Sequence, residues 1–291
     1  MAKKRRRFRH YTIAMVYDFD GTLTPQAMQD YTVLPQLGIP ASRFWKNVQA
    51  EVAKKGGDPM LTYMRLLIEQ IEANKTHLSR NDLRKLGKNI RYFPGVDGWF
   101  DRIAKYVADQ GEGVVKLRNY IISAGQREIL EGIRIRKHFA RIFASEYYFD
   151  HHDRAVFPRV LVNDTIKTQY IFRINKGRED LSQSINEHMP ESARRIPFSN
   201  IIYLGDGMTD VPGMTVTKNN GGYAIAVHPP RVRKSLETCR ALLKAGRVDF
   251  YAPADYSTGK VLEKRVKLIL DMIIARIRYE KEIFSAKLVE R

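Results

Sequence analysis

The chain has 291 residues, 44% hydrophobic and 28% charged, and its 50 Lys and Arg against 32 Asp and Glu give a formal net charge of +18. This is enough apolar material for a sizeable core, in one large domain or a domain with an insert, and it excludes global disorder. The one cysteine, Cys239, excludes an internal disulfide or a cysteine metal site and fits a reducing, cytoplasmic setting, and no run of about eighteen apolar residues is present to span a membrane.

The first ten residues, Met1 to His10, are strongly basic and read as a solvated tail. A nucleic-acid address is the alternative reading of this tail, and binding to nucleic acid is possible but not favoured. Residues 11–17 are apolar and rich in β-formers, too short and too polar-flanked for a signal core, and no small-residue cleavage site follows. They end abruptly in Asp18-Phe19-Asp20-Gly21, as a buried strand would that delivers acids at its C-terminal end. From about 26 to 92 the pattern is helical. Glu51–Lys55 and Met60–Ile68 have helical spacing, and Ser79-Arg80-Asn81-Asp82 looks like a helix start.

After Phe93-Pro94-Gly95 strands and helices alternate. A helix is expected over 96–109, then a short strand Asn119–Ser123 ending in Ser-Ala-Gly, a helix from Gln126 to His138 and a strand Arg141–Ser145. A helix over Thr165–Asn175 follows, then a strand Ile201–Leu204 ending in Gly205-Asp206-Gly207. Strands over 223–227 and 249–251 precede a long amphipathic helix from Gly259 to near the end. Such alternation implies an α/β fold with a parallel sheet covered on both faces, whose ligands sit beyond the carboxyl ends of the strands.

Three strands therefore end in chemically loaded residues. Asp18 and Asp20 lie two positions apart, with Gly21 to permit a turn. Asp206 and Asp210 add two more carboxylates. Acids clustered at strand ends repel each other unless a cation holds them, and hard oxygen ligands without soft partners suit Mg²⁺. Ser123 offers a hydroxyl, and it and Ala124 offer backbone N–H groups, to phosphate oxygens. Lys167 begins a helix, where the dipole gives a cation no support, so a bound phosphate would explain it; Lys176 is the runner-up. The Gly-x-Gly of 205–207 lacks the spacing of a dinucleotide loop, and His151-His152-Asp153 lacks that of a zinc helix and reads as a solvated loop.

The order Asp-x-Asp-Gly-Thr, Ser, Lys, Gly-Asp-Gly-x-x-Asp resembles the haloacid dehalogenase (HAD) superfamily, in its phosphoserine phosphatase-like branch. Residues 13–24, 118–125, 163–176 and 200–214 carry the likeness, and Phe93-Pro94-Gly95-Val96 resembles the re-entry into that family's core. The resemblance implies a HAD-like Rossmannoid three-layer core of parallel strands with an inserted all-helical cap. The core would be residues 11–24 and 94–291, the cap 25–93, and the basic tail 1–10. It implies a phosphatase in which Asp18 attacks phosphorus to form an aspartyl-phosphate. Asp20 would protonate the leaving oxygen and then activate water. Ser123, Ala124 and Lys167 would bind phosphate. Mg²⁺ would be held by Asp18, the Asp20 carbonyl and Asp206, with Asp210 close by. The second acid, Asp20, favours phosphate esters over carbon–halogen bonds, since an alkoxide needs a proton and a halide does not. The expected substrate is a phosphorylated small molecule; a phosphomutase or phosphotransferase, or a nucleic-acid-binding protein with a secondary hydrolase core, are the alternatives. In the cap, Phe44, Trp45, Tyr63, Arg65 and His77 are candidate substrate contacts, with helix packing or solvation the competing role for each.

Overall fold

The structure is a computed structural model that describes residues 8–289. A seven-stranded sheet is built from β1 (Thr12–Tyr17), β2 (Lys116–Gln126), β3 (Phe139–Phe149), β4 (Ala155–Val160), β5 (Ile201–Gly205), β6 (Tyr223–His228) and β7 (Phe250–Pro253). Its order is β4-β3-β2-β1-β5-β6-β7, and every neighbouring pair is parallel except β3 with β4.

The helices fall into two groups. Between β1 and β2 lie α1 (Met28–Tyr31), α2 (Val33–Gln36), α3 (Ala41–Lys55), α4 (Pro59–Ala73), α5 (Arg80–Leu86) and α6 (Val96–Gln110). The rest are α7 (Arg127–Leu130), α8 (Lys167–Lys176), α9 (Val211–Asn219), α10 (Arg233–Lys244) and α11 (Val261–Val289).

The period of two along the central strands sets the layers. Ile13, Met15 and Tyr17 of β1 pack on one face with Trp99 and Phe100 of α6 and Leu262 and Val266 of α11. Ala14 and Val16 point to the other face, against Tyr170 and Ile174 of α8 and Leu242 of α10. All six residues of β1 are buried, which is why its sequence shows an unbroken apolar run rather than alternation. The first core continues into α3, α4 and α5 through Phe44, Tyr63, Met64 and Leu83. Local signals frame these helices. Asp58 caps α4 by accepting from the N–H groups of Met60 and Leu61, with Pro59 in the first turn, and Ser79 and Asp82 form a capping box on α5.

The expected helix from Gln126 to His138 forms only as α7 and a 3₁₀ turn at Arg136–His138. The reason is steric. A Cβ on Gly132 would lie 1.6 Å from the Arg84 carbonyl oxygen of α5, and one on Gly87 2.3 Å from that of Ile129. The two backbones touch at their glycines, and the chain bends to allow it. The strand after Phe139 turns back through residues 150–154 as a hairpin with β4. His151 and His152 sit exposed in that turn, as a solvated loop requires. The tail differs from its reading from Phe8 onward. Phe8 packs 6.0 Å from the Phe284 ring, and His10 contacts the Arg194 carbonyl at 3.1 Å. Residues 1–7, on which the nucleic-acid reading of the tail rests, lie outside the described residues. Among the described residues no helix is long and apolar enough to cross a membrane.

Candidate active site

β2, β1 and β5 are neighbours, and Tyr17 of β1 is in register with Ile121 of β2 and Leu204 of β5. The residues just beyond that level are Asp18, Ser123 and Asp206, so three distant sequence segments meet at one end of the sheet. The Asp18 N–H still donates to the Leu204 carbonyl at 2.9 Å, which holds the first acid against β5. The chain then turns. Gly21 has φ +83°, its N–H donates to Thr24 O at 2.8 Å, and a Cβ there would meet Asp206 Oδ2 at 2.3 Å. Glycine is required twice over, for the left-handed backbone and for the approach of a carboxylate.

Lys167 is 2% exposed and reaches the centre of the group. Its Nζ donates to Asp18 Oδ1 at 2.8 Å and to Asp210 Oδ1 at 2.7 Å. Asp210 is held in turn by the Tyr203 hydroxyl at 2.8 Å and, through Oδ2, by the Asp206 N–H at 3.0 Å. Thr22 Oγ1 donates to Asp18 Oδ2 at 3.2 Å. Asp20 stands one step outward, where its Oδ1 accepts the Met28 N–H at 2.8 Å. Lys176 is elsewhere: its Nζ donates to the carbonyls of Ile185 and Glu187, binding the irregular segment after α8.

The crowding of acids has electrostatic consequences. Burial, then Asp210, pushes Asp18 up to about 6 against the pull of Lys167. Burial, then Asp210 and Asp18, pushes Asp206 up to about 8. Burial, then Asp18, raises Asp20 well above the usual carboxylate range. For Lys167 burial works downward, but Asp18 and Asp210 outweigh it and hold the ammonium well above its usual range. A dication is the group this set fits. Asp18, Asp206 and Asp210 each offer an oxygen within 4.8 Å of one another, all hard donors, and among the described residues no other group of acids, histidines or cysteines is so placed.

Ser123 is 1% exposed and lies in β2 where the pairing with β3 shifts register, three residues before the strand ends at Gln126 rather than at its end as expected, and its Oγ accepts the Gly125 N–H at 3.0 Å. A Cβ on Gly125 would lie 2.0 Å from Cε of Met28, so the methionine side chain packs directly over this glycine. Of the candidate cap residues, Phe44 is buried in helix packing, Trp45 donates to Asp30 Oδ1 at 2.8 Å, and Arg65 is half-exposed and pairs with Glu51 and Glu69. His77 contacts the His152 carbonyl at 3.1 Å, on the hairpin. Tyr63 is the one whose hydroxyl reaches the candidate phosphate loop, at Ala124 O, 2.9 Å away. Thr22, Tyr203 and Ser145 are neighbours of the acids and the loop that the sequence alone does not single out, although Thr22 lies inside the Asp-x-Asp-Gly-Thr run.

No family model matches the chain. An uncharacterized protein of Borreliella burgdorferi is 30% identical over 282 residues, covering 87% of this chain and 95% of that protein. Among solved structures, the phospho-aspartyl intermediate analogue of a phosphoserine phosphatase superposes with TM-score 0.54 at 15% identity, over 88% of this chain and 98% of that one. A HAD family hydrolase from Salmonella enterica serovar Typhi gives 0.53 at 17% identity over 78% of this chain, which spans 65% of that protein's length. A probable phosphoserine phosphatase from Vibrio cholerae gives 0.53 at 10% identity, over 94% and 68% of the two chains.

Proposed function

The chain belongs to one family with the Borreliella burgdorferi protein and has the HAD fold in its phosphoserine phosphatase-like form; from that premise we propose that it is a Mg²⁺-dependent phosphohydrolase that cleaves a phosphomonoester through an aspartyl-phosphate on Asp18. The observation that carries this reading is the buried Lys167 ammonium between Asp18 and Asp210, with Asp206 beside them, where the acids follow the ends of the adjacent strands β1 and β5. An anionic nucleophile meets an anionic substrate only where fixed positive charge offsets the repulsion.

In this reading an Asp18 carboxylate oxygen attacks phosphorus, and the bond from phosphorus to the ester oxygen breaks. Asp20 gives its proton to that oxygen, which departs as an alcohol. The carboxyl is suited to the task because burial and Asp18 keep it protonated far above the ordinary range, while Met28 N–H fixes its orientation. Asp20, now ionised, takes a proton from water as the water oxygen attacks phosphorus, and Asp18 is released with inorganic phosphate. Lys167 and Ser123 hold phosphate oxygens through both steps, and Thr22 steadies the oxygen of Asp18 that Lys167 does not hold. Asp18, Asp206 and the Asp20 carbonyl, with Asp210 close by, would hold Mg²⁺, which would supply the remaining positive charge against the phosphoryl group. The helices of residues 25–93 form the cap over this centre, and the substrate is a phosphorylated small molecule.

Asp18→Asn keeps the shape of the site and removes the nucleophile. Purified protein is expected to hydrolyse an aryl phosphate only with Mg²⁺, and the variant to lose essentially all of that rate. A variant that retains most of the metal-dependent rate would show that Asp18 is not the nucleophile.

A further inference from the structure

The hydrogen bonds around one peptide group of the phosphate loop give a cap residue a task. We propose that Tyr63 is a positioning residue: from α4 it fixes the Ala124–Gly125 peptide, orients Ser123 toward phosphate, and so makes phosphate binding depend on the seating of the cap. This inference rests on the phosphohydrolase reading above.

The Ala124 carbonyl oxygen accepts two hydrogen bonds, from the Tyr63 hydroxyl at 2.9 Å and from Ser145 Oγ at 3.1 Å. Ser145 Oγ itself accepts the Val162 N–H at 3.0 Å, so its single proton is committed to Ala124. Both lone pairs of the carbonyl are then filled by side chains from separate elements, α4 and β3. A peptide group is planar and trans, so fixing the C=O fixes the N–H on its opposite edge. That N–H belongs to Gly125 and donates to Ser123 Oγ at 3.0 Å. With its oxygen accepting from Gly125, the Ser123 hydroxyl has its own proton left for an outside acceptor. In the proposed site that acceptor is a phosphate oxygen.

The neighbouring residue of α4 is also tied down. The Met64 carbonyl accepts from the Tyr147 hydroxyl at 3.0 Å, and Tyr147 is held by Gln126 Nε2 at 3.2 Å. Tyr63 and Tyr147 are both almost wholly buried. Yet the two contacts differ in what they hold. Tyr147 seats α4, whereas Tyr63 alone among the cap residues holds the peptide that orients Ser123. Lifting α4 would leave a buried carbonyl lone pair without its donor, and the Gly125–Ser123 contact would lose its backing. By linkage, phosphate that prefers the oriented Ser123 also favours the seated cap.

The test compares Tyr63→Phe with Tyr147→Phe, using binding of inorganic phosphate in the presence of Mg²⁺, steady-state turnover of an aryl phosphate, and thermal melting. Each variant keeps its ring and loses one buried hydroxyl from the cap–core seam. Tyr63→Phe is expected to weaken phosphate binding and lower kcat/KM about tenfold, the scale of one lost hydrogen bond. Both variants are expected to lower the melting temperature by similar amounts, each having lost one buried hydrogen bond, but Tyr147→Phe is expected to move phosphate affinity much less. Equal losses of phosphate affinity in the two variants, or a Tyr63→Phe protein that binds phosphate like wild type, would overturn the positioning role. Wild-type protein that neither binds phosphate nor turns over the ester would overturn the phosphohydrolase reading and this inference with it.

Discussion

Lys167 and Lys176 lie one helix apart in sequence and do different work. The first has left water almost entirely and is held by two carboxylates; the second binds the carbonyls of Ile185 and Glu187. Removing Lys167 leaves Asp18 and Asp210 buried without their shared cation and, in the proposed mechanism, deprives the phosphoryl group of a donor. Lys167→Ala is therefore expected to lower kcat by about 10²-fold or more, the scale of losing a donor to developing charge, and Lys176→Ala to lower it far less. The reverse ranking in steady-state assays would reassign the phosphate-binding lysine. The acids also predict a pH dependence. Asp18 and Asp206 are pushed up to about 6 and about 8, above their values in an unfolded chain. A carboxyl raised on folding contributes stability below its unfolded value and loses that contribution as pH rises through its folded value. Metal-free protein should thus melt at lower temperature at pH 8 than at pH 6 as far as these groups decide. Binding Mg²⁺ requires the ionised acids and releases their protons. The rise in melting temperature on adding Mg²⁺ should accordingly be larger at pH 8 than at pH 6; an equal or smaller rise at pH 8 would remove these carboxylates from the metal site.

At the level of elements, the seam between α5 and α7 is where expectation and structure part. The stretch from Gln126 to His138 has the composition of a helix, but backbone contact at Gly87 and Gly132 ends α7 after one turn. Gly132→Ala would place a methyl group 1.6 Å from the Arg84 carbonyl, so α5 or α7 must shift. We expect a loss of about 1–3 kcal/mol in denaturant unfolding, the usual cost of an overpacked contact; a variant as stable as wild type would show that the seam gives way freely. β4 was absent from the sequence reading for another reason. It is a short edge strand containing Pro158, and it pairs only with β3 across a tight turn. α10 went unread as well, since Arg233, Lys234, Arg240 and Lys244 mask the spacing of its two buried residues, Cys239 and Leu242.

For the molecule as a whole, the net charge of +18 would raise the encounter rate with the phosphorylated substrate of the proposed reaction, since a positive field draws in anions. The sheet, the order of its parallel strands' chemistry and the helical character of residues 26–92 were legible because each rests on local pattern: buried strands show as apolar runs, and caps and glycines punctuate them. Asp18, Asp20, Ser123, Lys167, Asp206 and Asp210 could be singled out for the same reason, each standing at the edge of a recognisable element. The sequence by itself thus determined which residues stand at the element ends. The tertiary structure decided which of them touch: that Lys167 lies between Asp18 and Asp210, that Tyr203 and Thr22 steady those acids, and that Tyr63 reaches Ala124 across 61 positions. Strand register and the packing of distant segments set those contacts, and neither is written in any local stretch of chain.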